Sequence, residues 1–182
     1  MASEGTQVDR EGRMLRAPAR WQVGDTVAAP LDFYRGEVLS EWVDYNRHMT
    51  EAAYLTAFGW ASDALFSYIG DDDAYRSGGH SFYTVETHIA YLREAAEHAP
   101  LKITTRVLGV DRKRLHIYHE MFGDGDKMLA TTEQMLVHVD VNAALSVAIL
   151  PEVRAVLDAI AIAHSTLAPA DRAGHFALSN TE

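Results

Sequence analysis

The sequence predicts an α+β fold, an antiparallel sheet of five to six strands wrapped around one long buried helix, with a second helix near the C-terminus. Three observations predict it. Residues 51–69 form one unbroken run that is apolar on too many sides for a surface helix. Four later segments alternate apolar and polar residues with the period of a strand. Short turn sequences join the last three of these, so they form an antiparallel meander.

The elements follow in order. Residues 1–32 are polar and irregular, broken by Pro18 and Pro30, and read as a tail or strap. FYRGEVLSEWVDY, from Phe33 to Tyr45, reads as the first strand, with Val38, Trp42 and Val43 among polar residues. The long helix comes next. Thr50 or Asn46 can cap it, because a short side-chain oxygen can accept from the first unpaired N–H groups. Glu51 puts negative charge in the first turn, where the helix dipole favours it. Gly70 ends the helix after roughly five turns.

DDDAYRSGGHS, residues 71–81, reads as a loop. Strands are expected at 82–94, 101–110, 114–122 and 128–141. Asp111, Arg112 and Lys113 connect the second of these to the third. GDGD, residues 123–126, connects the third to the fourth. Pro151 opens the second helix, where its missing N–H costs nothing. Residues 33–164 then make one domain, and residues 165–182 a polar tail expected to fray. A sheet of this size must curl to cover the helix. Its open edge or face is expected to pair with another copy, as a homodimer or a dimer of dimers.

Bulk properties narrow the function. The chain has 182 residues, 48% of them hydrophobic, enough for one core. Lys and Arg number 16 against 26 Asp and Glu, a net charge of −10. That balance speaks against nucleic-acid binding, which needs a basic face. The chain has no cysteine, so disulfides, thiolate metal sites and cysteine nucleophiles are excluded. The first residues hold no apolar core of signal-peptide length, and no run approaches the ~20 apolar residues of a membrane helix. A cytoplasmic location and no membrane partner are expected.

Chemistry concentrates in DYNRHMTEAAYL, residues 44–55. A helix N-terminus presents unpaired N–H groups and a positive dipole end. Aimed at a carbonyl oxygen, such donors act as an oxyanion hole. Asp44 comes just before that end, and a carboxylate there can attack a carbonyl or activate water. Asn46 and His48 are candidate orienters. The plainer reading is that Asp, Asn and His at a loop–helix junction are turn formers and caps.

The strand, the pattern D-x-x-x-H-x-x-x-A-x-Y-L and the antiparallel sheet resemble the hotdog-fold acyl-CoA thioesterases of the 4-hydroxybenzoyl-CoA thioesterase type. Asp44, His48, Ala52, Tyr54 and Leu55 carry the match, and ETHIAYLREA resembles the next family strand. A narrower resemblance, in EWVDYNRHM, EAAYLTAF and SFYTVETHIAYL, is to the betainyl-CoA thioesterases of carnitine breakdown. The resemblance implies that Asp44 is nucleophile or general base and that a backbone N–H near Glu51 stabilises the oxyanion. Two positions depart from the family. Arg47 stands where glycine is common, and glycine permits positive φ. Thr50 stands where asparagine is common.

A betainyl group carries trimethylammonium, which aromatic faces and a nearby carboxylate can hold. Trp42, Tyr45, Tyr54, Phe58, Trp60, Phe82 and Tyr83 are candidates for the faces, and Glu86 for the carboxylate. Most aromatics of a buried helix are ordinary core, and Glu86 can equally be a solvated strand residue. Arg93, Arg112, Lys113 and Arg114 are candidates for the CoA phosphates, against the reading of a solvated turn. No cofactor and no metal are expected. His116 and His119 are three apart on a strand and face opposite ways. His138 and Asp140 share a face, but two ligands do not make a site. Residues 71–73 lack the glycine and distal glutamate of a calcium loop. A hotdog hydratase or dehydratase, or a non-catalytic acyl-binding module, are the competing readings.

Overall fold

A computed structural model of the chain describes residues 7–8, 14–15, 18–176 and 178. The elements run β1 (Gln7–Val8), β2 (Met14–Leu15), β3 (Leu31–Glu37), α1 (Glu51–Ile69), α2 (Asp73–Ser77), β4 (His80–Tyr91), β5 (Pro100–Val110), β6 (Arg114–Phe122), β7 (Met128–Asp140), β8 (Leu145–Ser146) and α3 (Pro151–His164). The sheet order is β1-β2-β3-β5-β6-β7-β4, with β8 paired to β7 beside this path. Every pairing is antiparallel. The five long strands and the helix they curl around are the expected architecture.

The first strand is shorter than its composition suggests. It ends at Glu37, and Ser40–Trp42 forms a 3-10 turn. Val38 and Trp42 are apolar because both face the core, from different backbone geometry. Helix α1 has the bounds expected. Gly70 closes it at φ 92°, donating its N–H to the carbonyls of Phe66 and Ser67. The helix is not enclosed on every side, however. Ala53, Ala57, Phe58, Ala61 and Leu65 face the sheet, while Ala52, Leu55, Thr56 and Asp63 stay exposed. The curl of a single sheet covers one side of the helix only.

Inside the curl, α1 and the sheet share a small polar network. His119 is fully buried, and its Nε2 lies 3.0 Å from Ser62 Oγ and its Nδ1 2.9 Å from Thr105 Oγ1. Ser62 Oγ also lies 3.3 Å from Gln134 Oε1. Burial drives the imidazole down to about 3, so it is neutral at ordinary pH. His116 faces the other way, as the spacing predicts. Its Nε2 lies 2.7 Å from Glu133 on the outer face of the sheet.

Three further features differ from expectation. Residues 71–81, read as a loop, hold the short helix α2, capped by the Asp72 carboxylate, and the start of β4 at His80. Strand β4 contains a bulge at Val85, because Thr84 pairs with Leu136 and Glu86 with Met135. The alternation therefore changes phase part-way. Phe82 faces the core in the first half, and Ile89 and Tyr91 face it in the second. The C-terminal stretch also does more than fray. The backbone N–H groups of Gly174 and His175 donate to the carboxylate of Glu133, and His175 Nδ1 lies 2.7 Å from it. Burial works against that charge. The donors from His175, Gly174 and His116 prevail and hold the carboxyl at about 2.

Candidate active site

The residues singled out in the sequence begin in a tight turn. Val43 and Met49 bridge as neighbouring strand residues, and Asp44 N–H donates to the His48 carbonyl at 3.1 Å. Arg47 N–H donates to the Asp44 carbonyl at 2.9 Å, and Arg47 has φ 61°. This is a turn followed by a left-handed residue, the place where glycine is cheapest. Arg47 keeps that geometry, and its guanidinium pairs with Glu97. The turn is thus the expected one, with a strained residue in it.

Asp44 is half-buried at this turn. Its Oδ1 accepts from Asn46 N–H at 2.8 Å, and its Oδ2 lies 3.4 Å from Asn46 Nδ2. Asn46 therefore orients Asp44, and it does not cap the helix. Thr50 holds the N-cap position without a side-chain bond. The first helical N–H groups with a backbone acceptor are those of Ala53 and Tyr54, both on the Thr50 carbonyl. Among the described residues, no acceptor lies on the N–H groups of Glu51 and Ala52. Such donors at a helix start are what an oxyanion hole requires.

A cleft of about 370 Å³ opens at the same helix start. Met49, Glu51, Tyr54, Tyr91, Leu92, Arg93 and Glu94 line it. Tyr54 is 3% exposed and donates from its hydroxyl to the Arg93 carbonyl at 2.9 Å. Tyr91 is 48% exposed, and its hydroxyl donates to the Glu51 carbonyl at 3.3 Å. The two rings meet edge to face, with centroids 5.4 Å apart and planes at 81°. Burial raises both phenols above their usual range, so both are neutral. His48 turns toward this cleft, its Nδ1 3.4 Å from Glu94 Oε2. The turn that holds Asp44 thus adjoins the cleft through His48 and Met49.

Of the residues named from sequence, Glu51, Tyr54 and Arg93 line the cleft, while Asp44, Asn46 and His48 lie in the turn beside it. Arg93 Nη1 donates to the Met128 carbonyl at 2.6 Å, which anchors the guanidinium at the rim. The others lie elsewhere. Trp42 packs in the core against Trp60, with centroids 5.0 Å apart. Phe58 is fully buried and stacks on His119. Phe82 stacks on Phe66 toward the far end of α1. Tyr45 is 94% exposed at the tip of the turn. Tyr83 faces outward by alternation with the inward Phe82, and the bulge puts Glu86 outward as well, opposite Met135 on the face that carries His116. Arg112, Lys113 and Arg114 sit at the other end of β5, where Lys113 Nζ holds Ser146 and Arg114 holds Asp111. Tyr91 and Glu94 were missed. Both belong to the AYLREAAEH segment, far from Asp44 in sequence, and only the sheet brings them to the helix.

A family model described as the thioesterase-like superfamily matches residues 38–157. The chain belongs to this thioesterase-like superfamily. Its match spans the turn at Asp44, α1, the cleft and the long strands from β4 to β7. The betainyl-CoA thioesterase of Pseudomonas aeruginosa is 45% identical over 139 residues, covering 75% of this chain and 87% of that protein. The L-carnitine dehydrogenase/betainyl-CoA thioesterase of Agrobacterium fabrum is 47% identical over 129 residues, and the chain spans only 27% of its length. A crystal structure of a putative thioesterase from Pseudomonas putida KT2440 is 37% identical and superposes with a TM-score of 0.70, covering 84% of this chain and 99% of that one. No helix among the described residues is long and apolar enough to cross a membrane.

Proposed function

We propose that this member of the thioesterase-like superfamily hydrolyses an acyl-CoA thioester to the free acid and CoA, with betainyl-CoA as the substrate. One observation carries the reading. A half-buried carboxylate, Asp44, lies in the turn that leads into a helix start whose Glu51 and Ala52 N–H groups have no acceptor among the described residues. The thioester carbonyl lies with its oxygen on those donors. Asp44 attacks the carbonyl carbon or takes a proton from the attacking water, and Asn46 holds its carboxylate in place. Negative charge on the tetrahedral oxygen is then met by the N–H groups and the helix dipole. CoA thiolate leaves and takes up a proton; where Asp44 itself has attacked, water then hydrolyses the acyl–Asp44 anhydride, releasing the free acid and restoring the carboxylate.

The betainyl group is supported by the relatives at 45% and 47% identity, which carry betainyl-CoA thioesterase in their names. Arg93, anchored at the cleft rim, is the same-chain candidate for a contact with CoA. Arg112 and Lys113 reach CoA only from a second copy. A homodimer is supported by strand β4, which ends the sheet with Tyr83 51% and Val85 58% exposed. An apolar, unpaired edge of this length is a template for another strand.

The experiment is a panel of CoA thioesters with free-thiol detection: betainyl-, butyryl-, benzoyl- and 4-hydroxybenzoyl-CoA. Betainyl-CoA is expected to give the highest kcat/KM. Far faster cleavage of butyryl- or an aryl-CoA overturns the substrate, and no cleavage of any overturns the activity.

A further inference from the structure

We propose that the cleft at the start of α1 is a subsite for a quaternary ammonium group, walled by the rings of Tyr54 and Tyr91 and charged by Glu51 and Glu94. The inference rests on the thioester reading of the same site. It joins Tyr91 and Glu94 to Tyr54 and Glu51, which the sequence already named.

A trimethylammonium group has no N–H to donate. Hydrogen-bond acceptors cannot grip it, so aromatic faces and carboxylates at close range must. This cleft supplies both. Tyr54 and Tyr91 stand nearly perpendicular, giving two adjoining walls. Their hydroxyls are already engaged by the Arg93 and Glu51 carbonyls, which fixes the rings before any ligand arrives. Fixed walls lower the ordering cost of binding. Glu51 and Glu94 both line the space, and their charge outweighs the single guanidinium of Arg93, itself tied to the Met128 carbonyl. The volume, about 370 Å³, is at the small end for small-molecule sites, which run from roughly 300 to 1,000 Å³.

Connectivity makes the location specific. In a betainyl thioester one methylene separates the carbonyl carbon from the ammonium nitrogen. The cation must therefore sit beside the oxyanion donors. Glu51 joins the two requirements in one residue. Its N–H is an open donor of the helix start, and its carbonyl positions Tyr91. The candidates on the outer face, Tyr83 and Glu86, are excluded by the same reach.

The test compares betainyl-CoA with its neutral isostere tert-butylacetyl-CoA, in which carbon replaces nitrogen. Wild-type protein is expected to favour the cation by about tenfold or more in kcat/KM, the size of one desolvated cation–π contact. Tyr91→Leu and Glu94→Gln are each expected to reduce that ratio severalfold. Tyr91→Phe, which keeps the ring, is expected to retain it. Thermal melts establish that each variant is folded. Cleavage of neither thioester by the wild type overturns the substrate reading and the subsite with it. Equal cleavage of both, or a cation preference that survives Tyr91→Leu and Glu94→Gln, overturns the subsite and leaves thioester hydrolysis standing.

Discussion

The guanidinium of Arg47 pairs with the carboxylate of Glu97, fifty residues further along the chain. The two backbones also meet, Glu97 N–H donating to the Arg47 carbonyl at 3.4 Å. Glu97 is held below the usual carboxylate range, first by a hydrogen bond from Ser40 and then by Arg47. The turn that presents Asp44 is thus clamped to the segment that supplies Tyr91 and Glu94. The clamp holds a residue in the left-handed region at a cost of about 1–2 kcal/mol.

That cost can be read directly. Arg47→Ala loses the ion pair and keeps the strain, while Arg47→Gly loses the pair and removes it. The glycine variant is expected to be more stable than the alanine variant by about 1 kcal/mol, the reverse of their order in a helix. Urea unfolding of the two proteins checks this. Equal midpoints would show that φ 61° carries no cost here.

Asp44→Asn keeps the size and the turn while removing the charge. A loss of at least ~100-fold in kcat is expected, the lower range for a group that handles the proton or the bond. The melting temperature should stay within a few degrees, because among the described residues the half-buried side chain bonds only to Asn46. Free-thiol assays and calorimetry on the same samples separate the two effects. Full activity in the variant would remove Asp44 from the mechanism.

His119 should set part of the acid limb of stability. Its folded value is depressed to about 3, and the unfolded imidazole titrates near 6.5. The unfolded chain therefore binds the extra proton. Stability is intact above about 6.5 and falls as pH drops toward 3, by as much as 1.4 kcal/mol per pH unit. Asp71 acts in the opposite sense, since burial raises its carboxyl to about 6. His119→Gln leaves Asp71 in place. The variant is expected to lose less stability than wild type between pH 6 and pH 4. Parallel slopes in urea titrations at those pH values would rule His119 out as the group responsible.

Strand β4 offers an equally direct measurement. Val85→Lys puts a charge on the exposed edge and is expected to shift the proposed dimer to monomer in light scattering. An unchanged dimer mass would move the interface elsewhere, for example to the open side of α1 around Leu55.

How much the sequence disclosed depended on where each signal was stored. Helix α1 was legible from end to end because Glu51 and Gly70 are local signals for local events. Strand β6 was equally clear, bounded by the Asp111 turn and GDGD. Trp42 and Phe58 were legible as apolar but not as core, since composition cannot tell a pocket wall from a packed interior. The cleft was not legible. Its second wall, Tyr91, and its second acid, Glu94, are joined to Glu51 by the fold alone. The docking of the C-terminal stretch left a faint trace. Glu133 is a charge within the otherwise well-packed strand MLATTEQMLVHVD, and such a charge needs partners from outside it.

The bulge at Val85 works like a frameshift written in geometry. Before it, even-numbered side chains face the helix, and after it the odd-numbered ones do. Deleting Val85 itself would only smooth the strand, since Thr84 and Glu86 already pair with consecutive residues of β7, and Tyr91 would keep its face. Deleting one residue from the regular stretch between Glu86 and Tyr91 would instead reverse every face beyond it: Tyr91 would swing outward and the cleft would lose an aromatic wall although none of its own residues had been replaced. An insertion or deletion upstream is therefore as consequential for the site as a substitution within it, and homologous strands can be compared residue by residue only after the bulge has been aligned.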